Sequence, residues 1–96
     1  MVVFIMEMEA LPAKSLEVKQ TLLALSEYTR KEKGCQDVGV FQDLENENVL
    51  CLSEVWESRE ELDHRMQADK FSVLLGTRAL LSRPPKIIMS EIFRSS

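Results

Sequence analysis

The chemistry open to this chain is concentrated in one stretch, Leu52 to Phe71, LSEVWESREELDHRMQADKF, which holds the only Trp, the only His and the densest set of polar groups. Glu54, His64 and Arg65 are the candidates for moving a proton or holding an anion. Trp56 and Phe71 in the same stretch, with Tyr28 and Arg78 outside it, are the candidates for contacting a substrate. Leu50, Leu52, Glu54 and Trp56 alternate with Cys51, Ser53 and Val55, so Glu54 and Trp56 share one face of a strand. An acid among apolar neighbours needs a partner, and Arg65 or Arg78 would serve. Glu54 is then either half of a structural ion pair or a catalytic base. Trp56 is either a pocket wall or a core aromatic closing the sheet against the helices.

The elements that must position these groups can be read from caps and periods. Ser58 followed by Glu61 has the pattern of a capping box, which opens a helix directly after the strand. On that helix Leu62 and Met66 face the core and Arg65 flanks the same side, whereas His64 lies roughly 200° from Leu62 at about 100° per residue. Arg65 is therefore the inward polar group and His64 a solvated one. Asp69 can cap a further helix, from Lys70 to about Leu81, on which Phe71, Leu74, Leu75 and Arg78 share a side. The Arg78 stem can run along that apolar surface with its head in water. Tyr28 follows Leu25 by about one turn and either offers its hydroxyl to a pocket or borders the core.

The remaining segments complete a simple order. Val2 to Met8 is a strand rich in β-branched and aromatic residues. Ser15 can cap a helix running to about Lys33, with Val18, Leu22, Leu25 and Thr29 as its apolar stripe, and Gly34 is a left-handed stop. Gln36 to Asp43 is a second strand, joined by the polar turn Glu45 to Asn48 to the third. Arg83-Pro84-Pro85 breaks the last helix, and Lys86 to Phe93 is the last strand. The order β, α, β, β, α, β, with its second α in two pieces, predicts an α+β, ferredoxin-like split βαβ fold in which helices cover one face of a four-stranded antiparallel sheet.

Composition bounds the rest. Ninety-six residues suffice for one domain spanning 1–96 and not for two. Sixteen acids against 12 bases, with signs interleaved, give no basic patch for nucleic acid. The N-terminal VVFIM is too short for a membrane span and lacks the basic region of a signal peptide, so a cytoplasmic protein is expected. Cys35 and Cys51 would stand about 20 Å apart along a hairpin at roughly 3.3 Å per residue, out of reach of a bridge. Cys51 reads as a small hydrophobe without a histidine to activate it. One His and two separated Cys make no metal-ligand cluster, and there is no phosphate-binding glycine loop. The terminal strands are apolar on both faces, yet helices can cover only one. An exposed apolar face of that kind implies a partner, and a homodimer formed sheet to sheet is expected.

The run TRKEKG (Thr29 to Gly34), then LSEVWESREELD (Leu52 to Asp63), then Phe71 and a Leu-rich helix resembles the antibiotic biosynthesis monooxygenase domain family over nearly the whole chain. The resemblance implies a dimeric α+β barrel and a pocket between helices and sheet. It implies a small oxygenase that needs neither metal nor flavin and oxidises a phenolic or quinol substrate with molecular oxygen, the substrate anion giving an electron to O2. The family commonly has a histidine nine residues after the Trp, where this chain has Arg65. An arginine cannot act as base near neutral pH but can hold an anion. Haem-degrading members resemble the chain in fold but use a histidine shortly after the Phe. Leu75 stands at that place here, and Ser72 to Arg78 contain no His. A non-catalytic dimeric module that binds a small anionic or aromatic ligand is the alternative.

Overall fold

The computed structural model describes residues 1–67 and 76–93. Four strands, β1 (Val2–Glu9), β2 (Cys35–Gln42), β3 (Val49–Trp56) and β4 (Lys86–Glu91), form one sheet in the order β2-β3-β1-β4, and every neighbouring pair is antiparallel. Helix α1 (Ser15–Arg30) joins β1 to β2, and helix α2 (Arg59–Met66) follows β3. A short 3-10 turn, Thr77–Leu80, precedes β4. This is the split βαβ, α+β fold expected from the order of elements. The expected Asp69 cap, Phe71, Leu74 and Leu75 lie outside the described residues, and the described end of that predicted helix, Thr77–Leu80, is 3-10 rather than α.

The inward face of the sheet is set by strand alternation. Phe4, Met6 and Met8 of β1 lie level with Glu54, Leu52 and Leu50 of β3, and all six are buried with Val18, Leu22 and Leu25 of α1 and Leu62 of α2. Each fully buried Leu or Met in such a core contributes about 1.5–3 kcal/mol through removal of apolar surface from water. Thr29 completes the α1 stripe at 0% exposure, its hydroxyl donating to the Leu25 carbonyl.

Two boundaries differ from the sequence reading for a local reason. Ser15 does not cap α1: Lys14 occupies the cap position, no side chain bonds the free amides there, and the Lys14 amide donates to the Leu11 carbonyl in a turn through Ala13 at φ 67°. The helix also ends at Arg30, three residues short of Lys33, because the chain tightens through a turn into Gly34 at φ 88°. That left-handed glycine also lies under the Glu61 side chain, whose Cγ would stand 2.6 Å from a Cβ built on residue 34. The Gly34 carbonyl accepts the Glu57 amide at 2.8 Å, so this one residue ties the α1–β2 corner to the start of α2.

The opposite face is not covered by any described helix, and it mixes apolar positions with Glu7, Glu9, Asp37, Ser53, Lys86 and Ser90. Val3, Ile5, Cys51, Val55, Phe41 and Ile88 share it by register, and every residue of β4 is exposed.

Candidate functional site

Glu54 lies at the centre of the helix-covered face, level with Phe4 on one neighbouring strand and Val38 on the other. The period of two places Trp56 beside it, and the indole Nε1 donates to Glu54 Oε1 at 3.0 Å. The second oxygen is reached from α2. Ser58 caps that helix, its hydroxyl accepting the Glu61 amide at 3.3 Å, and so fixes which residues of α2 point inward. Leu62 and Arg65 are buried there and Met66 packs against the core. Arg65 Nη2 donates to Glu54 Oε2 at 2.8 Å.

The result is a chain of three side chains, Trp56–Glu54–Arg65, each about 1% exposed. Its two charges are paired at hydrogen-bond distance inside an apolar core, which is the condition under which buried charges are tolerated. Both carboxylate oxygens accept a donor, one from Trp56 and one from Arg65. Arg65 carries a fixed charge and cannot be the proton acceptor.

The other candidates are dispersed. His64 is exposed on the outer side of α2, as its angular position predicts. Arg78 is exposed and does not reach Glu54; between the two arginines the structure selects Arg65. Tyr28 is 60% exposed rather than at the edge of the core. It lines an open groove of about 500 Å3 between α1 and the 3-10 turn, with Thr21, Ala24, Leu25 and Leu80. The described walls of this groove do not include Glu54, Trp56 or Arg65. Phe71 lies outside the described residues. Sequence reasoning missed the groove because it is built from residues more than fifty positions apart, and no local period signals that.

Cys35 and Cys51 are free thiols, both half-buried. Burial pushes both up from the usual 9.0, with the charge of Glu54 adding to the effect at Cys35 and that of Glu7 at Cys51. Neither is an activated nucleophile. Among the described residues no group of three or more His, Cys, Asp and Glu could hold a metal ion, and no helix is long and apolar enough to cross a membrane.

Comparison with known proteins agrees with this architecture. Residues 1–74 match the family described as antibiotic biosynthesis monooxygenase. A conserved protein from Methanosarcina mazei Go1 superposes with a TM-score of 0.86 at 29% identity, covering 93% of this chain and 89% of its own. A candidate antibiotic biosynthesis monooxygenase from Deinococcus radiodurans superposes at 0.90 with 19% identity over 100% and 96% of the two chains. A Mycobacterium tuberculosis protein does so at 0.86 with 24% identity over 99% and 97%. No curated protein matches the sequence.

Proposed function

Because the chain belongs to the antibiotic biosynthesis monooxygenase family, we propose that it is a small oxygenase that oxidises a phenolic or quinol substrate with molecular oxygen, bound on the helix-covered side of the sheet. The observation that carries this reading is the buried Trp56–Glu54–Arg65 chain. Apolar residues of similar volume in place of a buried ion pair are often neutral or stabilising by about 1–4 kcal/mol. A charged pair kept inside an otherwise apolar core is therefore a functional-site candidate.

In this reading Glu54 accepts the substrate hydroxyl proton as the ligand displaces one of its donors, and Arg65 turns its charge to the phenolate so formed. Trp56 holds the carboxylate in place and offers an aromatic wall. The anion then passes an electron to O2. For a simple phenol the balance is one O2 consumed, one oxygen atom added to the ring to give a quinone and the other released as water. His64 and Arg78, both exposed, have no part in it, and Tyr28 lines a separate groove on the α1 side.

A specific observation favours a second reading. Glu54 already accepts two donors, and the pair is sealed from solvent. A module that binds an aromatic ligand without turning it over needs no more than this. Oxygen uptake by purified protein, without added metal or flavin, against a panel of quinols and polyhydroxyaromatics separates the two. The oxygenase consumes O2 above the autoxidation blank and loses this in folded Glu54→Gln and Arg65→Gln variants. The binding module shows ligand-raised melting temperature and no uptake.

The same reading includes a homodimer closed across the uncovered sheet face. What supports it is the row Val3, Ile5, Val55, Phe41 and Ile88 on that side, an apolar patch of a kind that monomeric proteins rarely leave in water. Two-fold pairing would turn two open sheets into one enclosed core.

A further inference from the structure

Leu44 stands at the tip of the β2–β3 hairpin and is wholly exposed, at 102% of its reference area. The turn that carries it is held by side chains. Asp43 Oδ2 accepts the amides of Glu45 and Asn46 at 3.0 and 2.9 Å, Asn46 Oδ1 accepts the Asn48 amide at 3.0 Å, and Gln42 Nε2 donates to the Glu47 carbonyl at 2.9 Å. An apolar side chain presented on such a turn loses little freedom when a partner buries it. At the same end of the sheet, across its width, Glu7, Met8, Glu9, Arg83, Pro84 and Lys86 line a pocket of about 350 Å3 at the margin of the open face. We infer that the Leu44 tip of one copy seats in this pocket of a second copy, a contact made twice across the two-fold axis. The inference rests on the sheet-to-sheet dimer proposed above and names the segments that hold its corners.

Register and charge select this arrangement. Two sheets packed face to face with aligned strands can be related by a two-fold axis that lies between them and runs either along the strands or across them. An axis along the strands keeps every level of the sheet and exchanges its sides, so β2 of one copy lies over β4 of the other. Phe41, Cys51, Glu7 and Lys86 share one level. Phe41 then lies over Lys86 of the second copy, and the tip, one step beyond, lies over Arg83 and Pro84. An axis across the strands inverts the ends instead, and sets the tip over Asp37.

The tip carries Asp43, Glu45 and Glu47 and no cation. Over Asp37 it meets its own sign. Over the pocket it meets two cations and two acids. Lys86 pairs with no acid among the described residues, and the Arg83 side chain is 65% exposed although one Nη lies 3.3 Å from Glu9. Glu9 is further engaged by the Ser82 hydroxyl, which donates to it at 2.6 Å, and Glu7 is the remaining acid. Complementary charge across an interface fixes its register, and like charge rejects the alternative.

The test is disulfide trapping in the full chain carrying Cys35→Ser and Cys51→Ser, so that only introduced thiols react. Within one copy positions 44 and 84 stand on opposite edges of the sheet, on the order of 14 Å apart at roughly 4.8 Å per strand spacing, beyond the reach of about 7 Å that a bridge allows. Leu44→Cys/Pro84→Cys is expected to give a covalent dimer on non-reducing gels after mild oxidation, whereas Leu44→Cys alone and Pro84→Cys alone give none. In sedimentation equilibrium Leu44→Asp is expected to raise the dimer dissociation constant at least about tenfold, with an unchanged circular dichroism spectrum. Glu45→Lys/Glu47→Lys raises it as well, and adding Lys86→Glu recovers part of the loss.

A dimer that resists trapping in the double variant, that bridges through Leu44→Cys alone, or that is unaffected by Leu44→Asp overturns the tip contact and leaves the sheet-to-sheet dimer standing. A wild type that stays monomeric at every concentration overturns that dimer, and the tip contact with it.

Discussion

At the scale of single residues, the pairing of Glu54 with Arg65 governs both stability and chemistry. Glu54→Ala leaves the guanidinium buried without this carboxylate, and a loss of about 3–5 kcal/mol is expected in urea unfolding. Glu54→Leu with Arg65→Met removes both charges and is expected to lose less than Glu54→Ala alone. A double variant less stable than the single would show that the pair contributes net stability. The two thiols make a prediction about pH. Their folded values are raised above 9.0 by burial, so the folded state holds these protons more tightly than the unfolded chain. The associated stability is fully present below about pH 9 and is lost as pH rises from there through the folded values. Urea midpoints of wild type should therefore fall more between pH 8 and pH 10 than those of Cys35→Ser/Cys51→Ser, and identical falls would exclude the effect.

At the scale of elements, the site depends on how α2 is set down after β3. Ser58 starts the helix, and the Gly34 carbonyl holds the Glu57 amide, so the turn that decides the phase of Leu62 and Arg65 is anchored from the α1–β2 corner. Gly34→Ala meets two obstacles there: a φ of 88° that an L residue adopts at a cost of about 1–2 kcal/mol, and the Glu61 side chain within 2.6–2.9 Å of the new methyl. Glu61→Ala in the same chain removes the Cγ and Cδ contacts but keeps Cβ at 2.8 Å, so it should restore only part of the loss, leaving the backbone cost and the remaining Cβ contact. Thermal unfolding of the two single variants and the double variant measures the split, and full restoration would show that the backbone conformation relaxes. The elements whose phase matters most are also those whose starts were legible: Ser58-x-x-Glu61 marks α2 correctly, and strand alternation puts Glu54 and Trp56 on one face. The start of α1 was not legible, since Ser15 has the right chemistry for a cap but the Leu11–Lys14 turn already directs the chain into the helix without one.

At the scale of the whole molecule, one side of the sheet is closed by helices and no described helix covers the other. The proposed dimer predicts that wild type elutes with twice the monomer mass in light-scattering chromatography. Ile5→Lys or Ile88→Lys, each placing a charge on the open face where the two residues lie level with one another, should give a folded monomer. Dimers that survive both changes would place the interface elsewhere. Of the exposed apolar residues of β4, Ile88 lies on this open face, whereas Ile87 and Met89 share the helix side with Met6 and Phe4. The groove beside Tyr28 is separate from it, on the helix side of the molecule.

What the sequence by itself determined is the set of properties that depend on neighbours along the chain: the element order, the two periods that sort inward from outward residues, the cap of α2, the left-handed Gly34, and the inward placement of Arg65 over His64. Family membership was legible in the same way, through the Glu54-x-Trp56 and Ser58-x-x-Glu61 spacing. Only the tertiary structure decided which arginine meets Glu54, that both carboxylate oxygens are occupied, that Tyr28 faces solvent, and that β4 is exposed on both sides. These are distances between segments far apart in sequence. They follow from how the helices pack on the sheet, a balance of many small burial terms that no single motif encodes.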